Sequence, residues 1–144
     1  MITLNNIKKT FRSKGNKVEA LKGVTLTLPD NGIVILLGES GSGKSTLLNA
    51  LGGLDSYEGS IDYGTERAHG DSINKFDEYR RLNVGYIFQD FYLNDDLSVV
   101  DNIRQGLQIV GITEEAEVKK RTNQALFAVS MSLFKKRLCS QLSL

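Results

Sequence analysis

A chain of 144 residues falls within the usual size of a single domain, and 40% hydrophobic with 24% charged residues suits a packed globular protein rather than a disordered one. A net charge of +1 gives no strong steering toward nucleic acid, and no run approaches the ~20 apolar residues of a membrane-spanning helix. The single cysteine, Cys139, rules out an internal disulfide and suits a reducing compartment, and Met1 to Thr10 carries no signal-peptide pattern. The expected location is the cytoplasm, with no direct membrane insertion and any membrane link made through a partner.

Met1 to Phe11 and Val18 to Leu28 predict two strands joined by a polar loop over Arg12 to Lys17. Thr25, Leu26, Thr27 and Leu28 alternate polar with apolar, as a half-buried strand does. Pro29-Asp30-Asn31-Gly32 predicts a turn. Ile33 to Leu37 is apolar throughout, which predicts a strand buried on both faces, as in a parallel sheet. Ser45 to Leu51 predicts a helix ended by Gly52-Gly53. Glu58 to Tyr63 predicts another strand, Ala68 to Asn74 a loop, Lys75 to Leu82 a short helix and Val84 to Phe88 a further strand.

From Ser98 the periodicity turns helical, with Val99, Ile103, Leu107 and Val110 at spacings of four, four and three. Thr113-Glu114-Glu115 opens a second helix with a weaker stripe of Val118, Ala125, Leu126 and Val129. Glu117 is the last acidic residue; Lys119, Lys120, Arg121, Lys135, Lys136 and Arg137 follow it and read as a solvated face rather than a lipid or partner patch. The only histidine, His69, reads as a surface residue. The expected organisation is a sheet-rich part over residues 1–95 and a helical part over residues 96–144.

Residues 38 to 46 read Gly-Glu-Ser-Gly-Ser-Gly-Lys-Ser-Thr and fill the phosphate-loop pattern G-x-x-x-x-G-K-[ST] at Gly38, Gly43, Lys44 and Ser45. The apolar run before it and the helix pattern after it supply the strand-loop-helix setting that the motif requires. Gly41 and Gly43 let the backbone curl so that N–H groups point inward, and the following helix N-terminus favours negative charge. Lys44 reaches phosphate oxygens as a point charge, and the Ser45 hydroxyl suits Mg²⁺, a hard ion with oxygen ligands. The residues therefore predict binding of a nucleoside triphosphate with Mg²⁺.

With Gly38 to Thr46 followed by Tyr86-Ile-Phe-Gln-Asp90, the chain resembles the nucleotide-binding subunit of an ABC transporter, from about Ile2 to Ser143. The resemblance implies an α/β phosphate-loop NTPase (RecA-like) sheet core, preceded by an antiparallel β part and followed by a helical part, here truncated. It implies ATP held by Gly38, Ser40, Gly41, Ser42, Gly43, Lys44, Ser45 and Thr46, with the adenine stacked on Phe11. It also implies that Gln89, the family's Q-loop glutamine, touches Mg²⁺ or the attacking water beside Ser45 and Lys44. The implied partners are a membrane-embedded permease and a second ATP-binding subunit, and nucleic acid is not among them. Val18-Glu-Ala-Leu-Lys-Gly23 and Gly53-Leu-Asp55 are similar to the subgroup that exports lipoproteins, macrolides or antimicrobial peptides.

The chain departs from that pattern at its end. The family signature Leu-Ser-Gly-Gly-Gln begins as Gln141-Leu142-Ser143, but Leu144 stands where the first glycine belongs. The Walker B aspartate, the catalytic glutamate and the switch histidine are not found. The expectation is a frameshift or premature stop, and a chain that binds MgATP without turning it over alone. The alternative is a hydrolysis-deficient fragment that acts only in nucleotide binding or in docking a permease or full-length subunit. A different phosphate-loop enzyme, such as a small kinase, fits the Gln89 segment poorly.

Overall fold

A computed structural model of the chain describes residues 1–13, 15–64, 67–69 and 76–142, with the backbone alone described at 67–69. It divides into two compact units, Met1–Tyr86 and Ile87–Leu144.

The first unit is built on a hairpin of β1 (Ile2–Ser13) and β2 (Asn16–Leu28), paired antiparallel from Ile2↔Leu28 to Ser13↔Asn16. β3 (Glu58–Asp62) adds to the other edge of β1, and β4 (Arg67–His69) adds to β3, giving the order β2-β1-β3-β4. All pairings are antiparallel. Leu4 and Ile7 are both fully buried although three residues apart, a spacing that regular alternation would place on opposite faces. A break in register between them resets the alternation, with Asn6 at φ +52° and its N–H bonded to Thr25 Oγ1 at 3.0 Å. The bulge thus keeps both side chains in the core. Ala68 and His69, expected in a loop, instead pair as strand with Ile61 and Ser60, while residues 70–74 of that loop and the His69 side chain lie outside the described residues.

α1 (Lys44–Leu51) lies on this sheet through Leu47 and Ala50, which pack with Leu4, Ile7, Leu21, Tyr57 and Ile61. It ends as the Gly-Gly pair predicts. Gly53 takes φ +63°, Gly53 N–H bonds to Ala50 O at 3.1 Å and Leu54 N–H to Asn49 O at 2.8 Å, the paired bonds of a Schellman cap. The ring of Phe76 presses on Gly53 so closely that a Cβ there would lie 2.5 Å from it. Phe76 in turn joins Tyr63 and Tyr79, with ring centroids 4.9–5.2 Å apart, and leads into α2 (Asp77–Asn83). Burial holds the Tyr57 hydroxyl up at about 12.

Two expected strands do not form. Residues 33–37 lead from the turn to the phosphate loop without regular secondary structure, and no strand pairs with them among the described residues. Leu36 packs on the core, and Val34 and Leu36 share a small apolar cavity with Leu26, Leu28 and Leu47. Ile33, Ile35 and Leu37 face outward and are 90%, 73% and 88% exposed. A segment apolar on both faces needs a covering layer on each and hydrogen-bonding neighbours on its edges. Here it has one covered face and open edges. Residues 84–88 are likewise without strand pairing, with Ile87 91% exposed.

The second unit holds α3 (Val99–Ile109) and α4 (Glu115–Ala128), the two helices expected from the periodicity. Ser98 caps α3 by accepting from Asp101 N–H, and the Glu114 carboxylate caps α4 by accepting from the N–H groups of Ala116 and Glu117. Val99, Leu126 and Cys139 form its core, joined by Ile103, Met131 and Leu142. Asn102 ties the segments together: its Nδ2 donates to the carbonyls of Asn94 and Ser98, and its Oδ1 accepts from Asn94 N–H. The buried stripe of α4 is Val118, Thr122 and Leu126, whereas Ala125 and Val129 of the expected stripe are exposed. Burial, aided by the Asp95 carboxylate, pushes the Cys139 thiol's pKa up, so it is packing rather than reactive.

Two outcomes follow for stability. The open apolar face of 33–37 makes the isolated chain self-associate; replacing outward Ile35 and Leu37 with Lys raises the monomer fraction in light scattering, and a monodisperse wild-type monomer with cooperative thermal unfolding would refute this. Gly53→Ala, strained in φ and crowded by Phe76, lowers stability by about 1–3 kcal/mol, read as a lower urea midpoint.

Candidate nucleotide-binding site

The phosphate-loop residues lie together at the junction of residues 33–37 and α1. Gly41 and Gly43 take φ +79° and +91°, the left-handed conformations that curl the loop. Gly43 has a second reason to be glycine. A Cβ there would sit 2.6 Å from the Ala20 carbonyl oxygen on β2, so the loop closes against the sheet only because position 43 has no side chain. At Gly38 a Cβ would lie 2.7 Å from Ser42 Oγ. Ser42 N–H bonds back to Glu39 O at 3.3 Å and completes the turn.

Gly43 is also the N-cap of α1, and it offers no side-chain cap. The first helical bond is Leu47 N–H to Gly43 O at 2.9 Å. The N–H groups of Lys44, Ser45 and Thr46 precede it, and no acceptor among the described residues takes them. The first turn holds no acidic residue to neutralise the positive end of the helix. Ser40, Ser42 and Ser45 are exposed, and Thr46 is half-buried. The result is a rim of backbone and hydroxyl donors with no acidic residue in the first helical turn, which suits phosphate oxygens.

The Lys44 ammonium lies across this rim. It donates to the carbonyls of Gly38 at 2.8 Å and Glu39 at 2.6 Å and lies 3.4 Å from Ser42 Oγ. Two bonds are short and one is long, so the ammonium holds the loop's entry while one donor is weakly engaged. Mg²⁺ fits here only in company. Among the described residues no group of three or more His, Cys, Asp or Glu side chains can hold a metal. The exposed Ser45 hydroxyl would supply at most one oxygen ligand, and phosphate oxygens would have to supply others.

Phe11 stands near the end of β1, paired with Val18, and is 45% exposed. β2 links it to the loop, since Ala20, whose carbonyl abuts Gly43, is two residues from Val18. Lys9 Nζ sits 5.2 Å from the Phe11 ring centroid, which leaves the ring's other face available. That ammonium is itself anchored, with bonds of 2.7 Å to both Asp55 Oδ1 and Ser56 O. The motif reading missed this support, although Lys9 and Phe11 lie two apart on one strand and β1 could have signalled it. Also missed was Tyr86, whose hydroxyl donates to Asn49 Oδ1 of α1 at 2.8 Å.

Gln89 belongs to the second unit. It is exposed, in a turn closed by Phe91 N–H to Phe88 O at 3.2 Å, and its side chain has no partner among the described residues. Phe91 and Tyr92 follow in left-handed conformations at φ +58° and +48°, and both side chains are more than half exposed. The structure brings Gly38 to Thr46 together within the first unit, whereas Gln89 is carried by the second. Ser143 and Leu144, at the signature-like end, lie outside the described residues.

Comparison with known proteins agrees with this geometry. The ABC transporter family profile matches residues 21–144. The methionine import ATP-binding protein MetN 1 of Pseudomonas putida is 33% identical over 99% of this chain and 43% of its own length. The lipoprotein-releasing system ATP-binding protein LolD of Treponema denticola is 32% identical, over 99% of this chain and 63% of its own. The bacitracin export ATP-binding protein BceA of Halalkalibacterium halodurans is 34% identical over 83% and 48%. Among solved structures, dimeric MJ0796, a bacterial ABC transporter cassette, superposes with TM-score 0.86 at 32% identity, over 99% of this chain and 63% of that one. The chain therefore spans 43% to 63% of the length of these relatives, and similarity reaches importers and exporters alike. With a family match over most of its length and a phosphate loop built as that family requires, the chain belongs to the ABC transporter family, as part of an ATP-binding subunit.

Proposed function

We propose that the chain is the MgATP-binding part of an ABC transporter's ATP-binding subunit. The uncapped N-terminus of α1 behind Gly43, with Lys44 across the loop, carries this reading. In it, the N–H groups of Lys44, Ser45 and Thr46, with the loop from Ser40 to Gly43, receive the phosphate oxygens. The weakly engaged donor of Lys44 turns to them, Ser45 gives Mg²⁺ one oxygen, and the exposed face of Phe11 stacks on the adenine. Mg²⁺ and the phosphates bound together would neutralise charge that the loop alone cannot.

Gln89 is proposed as the link from nucleotide to partner. The exposed Phe91, Tyr92 and Leu93 beside it are apolar and suit contact with a membrane-embedded permease at the inner membrane face. A second ATP-binding subunit completes the site, as the dimeric MJ0796 structures, one of them bound to ADP and Pi, illustrate for that protein. The relatives include the importer MetN 1 as well as the exporters LolD and BceA at similar identity, so the similarity assigns no direction of transport. Phosphoryl transfer to water needs a group that orients the water as well as a loop that holds the phosphates, so binding without turnover is the expected behaviour of the chain alone. The alternative, a module that docks a permease or intact subunit without chemistry, draws on the same exposed segment.

Isothermal calorimetry with MgATP, followed in parallel by phosphate release, tests the reading: saturable binding with no release is expected. Lys44→Ala loses at least about tenfold in affinity, the scale of a charge-assisted bond. Unchanged affinity would mean that the loop is not the site. Phe11→Ala weakens ATP by about 1 kcal/mol but leaves inorganic triphosphate unaffected, because only the base stacks. Equal losses for both ligands would place Phe11 in the scaffold rather than on the adenine.

A further inference from the structure

Within the second unit a cavity of about 410 Å³ opens among α3, α4 and the turn after Phe134. That size lies in the range of small-molecule sites. The turn is fixed to α3, since the N–H groups of Val99 and Val100 donate to the carbonyls of Arg137 and Lys135, each at 3.0 Å. The cavity wall carries Arg104 from α3, Lys119 and Thr122 from α4, and Lys135 and Lys136 from the turn. Val100 and Val118 supply an apolar patch.

Two independent observations make this wall unusual. First, two buried side-chain polar atoms lack a hydrogen-bond partner among the described residues, Arg104 Nε and Thr122 Oγ1, and both belong to residues of this one cavity. Thr122 is only 3% exposed. Buried polar atoms are nearly always paired, so two orphans on one wall point to a missing acceptor. Second, charge on the wall is unbalanced. Arg104 donates through Nη2 to Glu115 at 2.6 Å, and the Asp101 carboxylate is engaged by the Ser98 hydroxyl. Lys119, Lys135 and Lys136 have no ion pair among the described residues, although Lys120, one position away, pairs with Glu117. What the sequence reads as a solvated basic face is therefore divided: part is paired along α4, and part converges on a cavity.

We propose that this cavity binds a small organic oxyanion, a carboxylate or phosphate ester, distinct from the nucleotide site. Its anionic end is held by Arg104, Thr122 and the three lysines, and its apolar end lies on Val100 and Val118. Every unsatisfied side-chain group on the wall is able to donate, so an acceptor-rich anion satisfies them together.

Citrate is a suitable probe, applied to the full chain with Lys44→Ala so that the phosphate loop does not compete. Lysine acetylation followed by mass spectrometry reads each site, with sodium chloride at matched ionic strength as control. Citrate protects Lys119 and Lys135 saturably and spares Lys120. Thr122→Val, which removes the orphan hydroxyl at nearly constant shape, raises the half-protecting citrate concentration about fivefold and leaves the unfolding midpoint unchanged or higher. Equal protection of Lys119, Lys135 and Lys120, protection reproduced by chloride, or protection indifferent to Thr122→Val would each overturn the proposal.

Discussion

The approach of Gly43 to the Ala20 carbonyl is the constraint on which the nucleotide site depends. A Cβ would come within 2.6 Å of that oxygen, so only glycine lets α1 begin hard against β2. From that start, Leu47 and Ala50 reach the core beside Leu21 and Ile61. The same glycine supplies no capping oxygen, so the helix opens with free N–H groups where a serine or aspartate would have closed them. One missing side chain thus serves packing and binding together. It brings the loop close to the sheet, sets the helix direction and leaves the donors available.

Much of this was legible in the sequence because the loop is a local pattern. Its glycines, lysine and serine act within nine residues, and the strand-like and helix-like runs beside it frame them. β1, β2, α3 and α4 also announce themselves by alternation or by helical period. What was not legible depends on distant partners. Strict alternation places Leu4 and Ile7 on opposite faces, and only the register against β2 and β3 shows that the Asn5-Asn6 bulge reunites them. Thr122 breaks the apolar stripe of α4 as a polar residue, and its burial is set by neighbours rather than by its type. Gln89 was found by motif resemblance, but the left-handed turn at Phe91 and Tyr92 has no glycine or asparagine to reveal it.

Residues 33–37 show a different kind of gap. Their composition describes a strand buried on both faces, and the structure fulfils half of that description. Val34 and Leu36 turn toward the core, while Ile33, Ile35 and Leu37 turn away from it. The sequence pattern specifies an environment, not a hydrogen-bonded partner, and apolar side chains alone do not make a strand when both edges are unpaired.

Gly38 follows directly on Leu37, so the loop enters from a segment anchored chiefly by Leu36 and leaves into a helix anchored by Leu47 and Ala50. The exit is therefore the firmer end. The first N–H groups of α1 and the hydroxyl of Ser45, the donors proposed for phosphate and Mg²⁺, sit at that exit. The entry is steadied instead by Lys44, which reaches back from the helix to the carbonyls of Gly38 and Glu39. Lys44 thus closes the loop on itself, and in the proposed reading the same ammonium presents charge to a phosphate. The ammonium has three donors: two are held by the Gly38 and Glu39 carbonyls, and the third, 3.4 Å from Ser42 Oγ, is the one left for a ligand in the proposed reading.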